Sequence, residues 1–387
     1  MNSFWQTVGH RVLYDFSSNV SPLKLLEDIH EDKPKLEQEL KNYLKDLAAS
    51  FGDDASLFQE IDNFKIFHLV IEEHNFIIFD IPPQPVEVGD LFCTVNLITI
   101  GEQGNLISRY FMMVLGVDND TNEHFVVYAE NTEINKDPIV HATSQYYFFG
   151  LFIDQILKIL NEKFSLLRQY IQQAKDENMH RLLYFAAHYF LYDALFTDNP
   201  EDKYFLLEAT VKERGKLLQW IKSSLLNFLE QPSEFAAKLI ESIDISFIYV
   251  ENLSIVIVHL PTPQQKGEAF EIAVVYQIDG FKKEYSSVRY FTSELGVKII
   301  DAPDGGNETY KYALYICEWQ GREKEKTHLN YGFFEYFNLA IFIDSILELY
   351  YIPIKFFQIN FESFENLPGV HSEANFSENK IEFEIPN

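Results

Sequence analysis

Arg109 to Gly116 reads RYFMMVLG, and 180 positions later Arg289 to Gly296 reads RYFTSELG. Matching features flank both stretches in the same order. Upstream, IPPQPVEVGDLF (Ile81 to Phe92) parallels LPTPQQKGEAF (Leu260 to Phe270), a Pro-rich turn followed by Gly89-Asp90 in one and Gly267-Glu268 in the other. Downstream, FIDQILKIL from Phe152 parallels FIDSILELY from Phe342, with the offset grown to 190. Self-similarity at nearly constant spacing marks an internally repeated architecture. It predicts a tandem duplication.

Each copy reads alike. In the first, FKIFHLVI, NFIIFDI, LFCTVNLITI, LISRYFMMVL and HFVVYAE alternate apolar and polar residues or run apolar over strand lengths, with turn-forming residues between them. ISFIYV, LSIVIVHL, AFEIAVVYQI, SSVRYFTSEL and KYALYICEW repeat the series, with Asp279-Gly280 as a short turn and Asp304-Gly305-Gly306-Asn307 standing where DNDTN stands in the first copy. The pattern predicts a five-stranded antiparallel meander in each half, followed by a closing helix near 146–172 and 334–350. Helical sequence precedes each sheet. Ser21-Pro22 supplies an N-cap and a first-turn proline before LKLLEDI, and Leu36, Leu40, Leu44 and Leu47 then line one helical face. LLEATVKERGKLLQWIKSSLLNFLE and SEFAAKLIESI do the same ahead of the second sheet.

The expected fold class is therefore α+β, with helices covering one apolar face of each sheet in two-layer packing. The expected organisation is a first repeat over 1–172, a connecting helix over 173–200, a second repeat over 201–361 and an acidic polar tail over 362–387. The connecting segment contains LLYFAAHYFLYDALF, Leu182 to Phe196, which is too short and too interrupted by His188 and Asp193 to span a bilayer. In element order and acidity the chain resembles, at the level of fold alone, the secretion-chaperone-like folds of small acidic bacterial proteins, and that resemblance implies no activity.

The 387 residues carry a formal net charge of −28, with 47% hydrophobic and 16% aromatic residues. Such a chain can bury a large core, and its acidity disfavours nucleic acid as the main ligand and docking on anionic membranes. Cys93 and Cys317 stand far apart, which excludes a disulfide framework and suits a reducing, cytoplasmic setting. The N-terminus lacks the apolar core of an export signal. Phosphate-binding loops, GxSxG, HExxH and CxxC motifs are absent from the sequence.

Four sets of residues merit a chemical reading. In CEWQGREKEKTHLNYG (Cys317 to Gly332), a hairpin centred between Arg322 and Glu323 would oppose Cys317 and His328, with Asn330 two residues on. Those are the residue types of a Cys/His/Asn nucleophilic site, yet the first copy has Ala129 at the thiol position. Arg109 and Arg289 sit in apolar strands while Asp154 and Asp344 begin apolar helices. A charge in such a run needs a partner, so Arg-to-Asp pairs between strand and helix are expected once per half. Asp118 to Asn122 (DNDTN) spaces oxygen ligands like the start of a calcium loop but has Glu123 where the loop needs Gly, and it lacks the closing bidentate Glu. His180, Tyr184, His188 and Tyr192 fall on one helical face near Asp193, with the two histidines too far apart to share a metal.

No cofactor and no metal follow from these patterns. The sequence favours a non-enzymatic, cytoplasmic protein-interaction protein, of chaperone, adaptor or immunity type. It would bind a protein partner, a basic one by charge, through an acidic aromatic-rich surface, and a homo-oligomer is compatible with this. The alternative is a thiol-dependent hydrolase or transferase using Cys317, His328 and Asn330. Mimicry of nucleic acid agrees with the charge but finds no ordered carboxylate stripe.

Overall fold

The computed structural model describes residues 4–50, 55–81, 91–101, 103–117, 124–132, 138–144, 149–162, 164–166, 187, 191–192, 204–228, 234–261, 269–279, 284–300, 309–319, 326–332 and 339–356. They mix helix with antiparallel sheet. The chain divides into two units, one holding Met1–Leu166 and the segment that begins at Ile354, the other holding Leu167–Pro353.

The first unit opens with helices α1 (His10–Asn19), α2 (Pro22–Ala48) and α3 (Ala55–Asn63). Ser21 starts α2 by accepting a hydrogen bond from the Lys24 N–H at 3.2 Å, with Pro22 in the first turn. The helix breaks at Asp32, which leaves helical geometry and caps a second segment by accepting from the Lys35 N–H at 3.2 Å. Pro34 is tolerated there because it lies in the first turn of that new segment. Six strands follow: β1 (Lys65–Ile71), β2 (His74–Asp80), β3 (Leu91–Ile100), β4 (Leu106–Val117), β5 (His124–Asn131) and β6 (Ile139–Ser144). Each pairs antiparallel with the next, and α4 (Phe149–Ile159) closes the unit.

The second unit presents α5 (Phe205–Phe228), α6 (Glu234–Glu241), then β7 (Asp244–Val250), β8 (Leu253–His259), β9 (Ala269–Asp279), β10 (Glu284–Ile300), β11 (Thr309–Trp319), β12 (Lys326–Gly332) and α7 (Leu339–Leu349). The strands again pair in chain order. α5 breaks at Glu213. The rings of Phe205 and Trp220 meet edge to face at 5.9 Å, whereas a straight helix would set them about 22 Å apart. The two segments therefore double back on each other.

Two features differ from the sequence reading. Each meander carries a sixth strand, β6 and β12, both short and polar enough to escape a search for apolar alternation. Each sheet is also covered on both faces rather than one. In the first unit, α1 to α3 pack with Phe64, Ile77, Phe79, Tyr110 and Met112, while on the opposite face Tyr128 stacks on Phe152 of α4 at 5.6 Å. β8 is buried at every position, the signature of a strand with both faces covered.

Several backbone details occur in both units. The β1–β2 and β7–β8 turns place Glu72 and Glu251 at φ 56. Both closing helices end in a left-handed residue, Asn161 (φ 60) and Tyr351 (φ 57), and the next N–H reaches back to Leu157 or Leu347 in the manner of a Schellman cap. Gly116, in the motif around Arg109, faces the ring of Phe125, which an added Cβ would approach to 2.6 Å. Past α7 the chain rejoins the first unit: Phe356 accepts a hydrogen bond from Gly150 N–H at 2.8 Å and stacks on Phe149. A Cβ at Gly150 would lie 2.9 Å from that carbonyl, so only glycine fits.

Of the expected connecting helix, Ala187, Leu191 and Tyr192 are described; they are helical and buried in the second unit's core, with Tyr192 edge-on to Tyr290 at 5.5 Å. The tail over 362–387 lies outside the described residues. Among the described residues, no helix is long and apolar enough to cross a membrane.

Two groups on the first sheet titrate in opposite senses. Desolvation raises Asp80 from 3.8 to about 6. It lowers His68 from 6.5 to about 4, against the pull of the Asn75 amide oxygen 3.1 Å away. The raised carboxyl gives stability at low pH that is lost as pH climbs through about 6; the depressed imidazole gives stability at neutral pH that is lost as pH falls through about 4. Their slopes oppose each other between the two values. Relative to the native chain, Asp80→Asn should gain stability and His68→Gln should lose it as pH rises from 4 to 6, each by up to about 1.4 kcal/mol per pH unit. Urea midpoints across this range check both signs.

Candidate functional site

The two mid-strand arginines take their partners from the neighbouring strand. Arg109 Nε and Nη2 donate to the two carboxylate oxygens of Glu130 at 2.8 and 2.7 Å. Arg289 Nε and Nη2 donate to those of Glu318, both at 2.6 Å. This corrects the expected pairing with Asp154 and Asp344. Register explains it: Phe111 is paired with Glu130 and Phe291 with Glu318, so each glutamate lies diagonally across from its arginine on one sheet face. Asp154 instead accepts from the Ser165 hydroxyl and the Leu166 N–H, both at 2.7 Å, and secures the chain after α4. Asp344 is buried within α7.

Aromatic faces complete both sites. Arg109 lies over Phe111 at 5.0 Å, and Arg289 over Phe291 and Tyr350, each at 5.1 Å. Burial raises the Glu130 carboxyl, but Arg109 and His141, whose Nε2 is 3.1 Å away, outweigh it and hold the group below the ordinary range. The Arg289 guanidinium is raised, first by its hydrogen bond to Glu318. Bidentate pairs capped by rings leave these arginines committed within the sheet.

Cys317 is buried, and its register partner on β12 is His328. A register shift follows, and Asn330 pairs with Ile316. Cys93 is also buried, and burial raises its thiol well above the ordinary value, with the nearby Asp80 charge adding to the effect. The candidate calcium loop at 118–122, and His180, Tyr184, His188 and Asp193, lie outside the described residues.

The structure assembles a polar row that sequence reading passed over. On the second sheet, Ser246 Oγ lies 2.7 Å from His259 Nε2, and His259 Nδ1 lies 2.6 Å from Glu271 Oε2. Ser293 continues the row by accepting from the Glu271 N–H at 3.0 Å. The order serine, histidine, carboxylate is that of a hydrolase triad, but none of the three is more than 4% exposed. A substrate has no access to them, and the row sets polar groups against one another inside a covered sheet. The available signal was Glu271 within AFEIAV, a charge in an apolar strand like the two arginines. In the first unit the corresponding register pair is Asp80 with Cys93.

Among the described residues, one group has metal-ligand chemistry: the donor atoms of Glu73, His74 and Glu162 all lie within 4.8 Å of one another. Comparison with known proteins returns no match to a protein family, a curated protein or a solved structure, so no relative lends the chain a function.

The Arg289–Glu318 pair predicts a specific pattern of stability. Glu318→Leu strands a half-buried guanidinium and should cost about 1.5–3 kcal/mol. Arg289→Met with Glu318→Leu should recover most of that loss, because removing both charges removes the unpaired one. Denaturant unfolding of the single and double variants measures the coupling.

Proposed function

We propose that the chain is a tandem duplication of a helix–meander–helix unit that works as a non-enzymatic, cytoplasmic protein-interaction protein. It presents an acidic, aromatic-bearing surface to a basic partner, as an adaptor, chaperone or immunity-type protein would. The duplication is supported by the recurring turns at Glu72 and Glu251, the helix breaks at Asp32 and Glu213, the left-handed helix ends at Asn161 and Tyr351, and the paired Arg–Glu sites.

The interaction reading rests on one contrast. Groups able to do chemistry are buried and engaged with each other, while the carboxylates face outward: among the described residues only Glu130, Glu271 and Asp344 are buried acids, against a net charge of −28. On α5 the exposed Phe205 and Trp220 meet edge to face, and on the same helix Glu208 and Glu213 are paired with Lys212 and Lys216. An exposed aromatic pair supplies contact area to a partner, and the net charge of −28 over the chain supplies steering toward a basic one.

The full chain, used as bait, should retain a basic protein that, once purified, binds directly by titration calorimetry. Its affinity should weaken as salt is raised, and Trp220→Ala should reduce it. Salt-independent binding, or turnover of a substrate by the free chain, would overturn the reading. The thiol-enzyme alternative makes the opposite prediction at Cys317. Buried as it is, that thiol should resist iodoacetamide in the native chain near neutral pH and react only on unfolding; rapid native labelling would favour the enzyme.

A further inference from the structure

We propose that His74, Glu162 and Glu73 form a binding site for a first-row divalent cation, with zinc as the best match to its donors. His74 begins β2 straight after the two-residue turn that carries Glu73, and it is buried at 5% exposure. Glu162 arrives from the capped end of α4, so the site joins a hairpin tip to a helix terminus. His74 Nε2 lies 2.9 Å from Glu162 Oε1, and the Glu73 carboxylate completes a set whose donor atoms fall within 4.8 Å of one another.

The ring is oriented as a ligand's would be. Its Nδ1 lies 2.8 Å from the Thr99 hydroxyl, a buried contact that fixes the imidazole plane. With Nδ1 engaged, Nε2 points at the Glu162 carboxylate, and a hydrogen or a metal ion must lie between nitrogen and oxygen. A proton can fill the place, and so can a metal. Imidazole and carboxylate are both zinc ligands, and an outer hydrogen bond holding the ring is the usual support for a metal-bound histidine. Bonds of about 2.0–2.2 Å to nitrogen and oxygen would ask Nε2 and Oε1 to part by only a few tenths of an ångström. Glu73 is exposed, so water can supply the remaining coordination position.

The second unit shows that the fold does not need this polarity. There the first residue after the equivalent turn is Leu253, and the residue after the left-handed helix end is Ile352, both buried. Both corresponding positions are apolar. The histidine and glutamate therefore call for an explanation beyond packing.

The test is zinc titration of the full chain after chelator treatment and desalting, followed by calorimetry and by the visible spectrum with cobalt as a reporter. The native chain should bind one equivalent at this site. Thr99→Val should weaken binding by about 10- to 100-fold through loss of the contact that orients the ring. His74→Leu with Glu162→Ile, which installs the second unit's pair, should abolish it while leaving the far-ultraviolet circular dichroism unchanged. Glu73→Gln, on an exposed side chain, should weaken binding at least tenfold and decides the matter if the double variant does not fold. Absence of a stoichiometric site in the native chain, or native affinity in Glu73→Gln, would overturn the proposal and leave an ordinary hydrogen-bonded histidine.

Discussion

A strand covered on both faces leaves a charged side chain little water, and the polar pairing within each sheet follows from how that constraint is met. Charges stranded in the sheet must be neutralised across the strand ladder, since an isolated buried ion is far more costly than a paired one. Arg109 and Arg289 meet Glu130 and Glu318 in this way, and His259 meets Glu271. The pairs sit where strand register brings a diagonal or directly opposed residue within reach. They act through position, because a one-residue slip would separate every pair and turn the apolar residues over to the wrong face.

Much of this architecture was readable from the sequence, for identifiable reasons. The strand from Arg289 was legible because RYFTSELG sits in the same setting as RYFMMVLG, and the closing helices because Phe-Ile-Asp lies within an apolar helical run in each. The partner of each arginine was not legible. Glu130 and Glu318 lie beyond loops of different length, so no constant spacing from the arginine points to them. The aspartates in the apolar helices were the more conspicuous acids; they lie mid-helix rather than at the starts the sequence suggested, and Asp154 holds the chain after α4. The breaks at Asp32 and Glu213 were hidden because polar residues that suit a helix surface also suit a kink.

The candidate sites show the same division. A cysteine and a histidine placed symmetrically about a turn could be found by counting, whereas Ser246, His259 and Glu271 come together across three strands with a long connection between the last two. The cluster at His74 depends on the end of α4 reaching a hairpin tip. Spacing along the chain contains nothing of that contact, although comparison of Glu162 with Ile352 and of His74 with Leu253 would have marked both residues as departures from an apolar pattern.

The two units meet one demand with different chemistry. The register pair that is His259 with Glu271 on the second sheet is Asp80 with Cys93 on the first, where burial raises the carboxyl to about 6 and the thiol well above its ordinary value. Ser246, His259, Glu271 and the Cys93 thiol are all closed to solvent. Native-state hydrogen exchange along β9 measures that closure directly. The amides of Ile272 to Tyr276 should exchange only through global unfolding, with protection equal to the full stability of the second unit. Exchange by local opening, under conditions where the chain remains folded, would show that the row at Glu271 is accessible and would contradict the account.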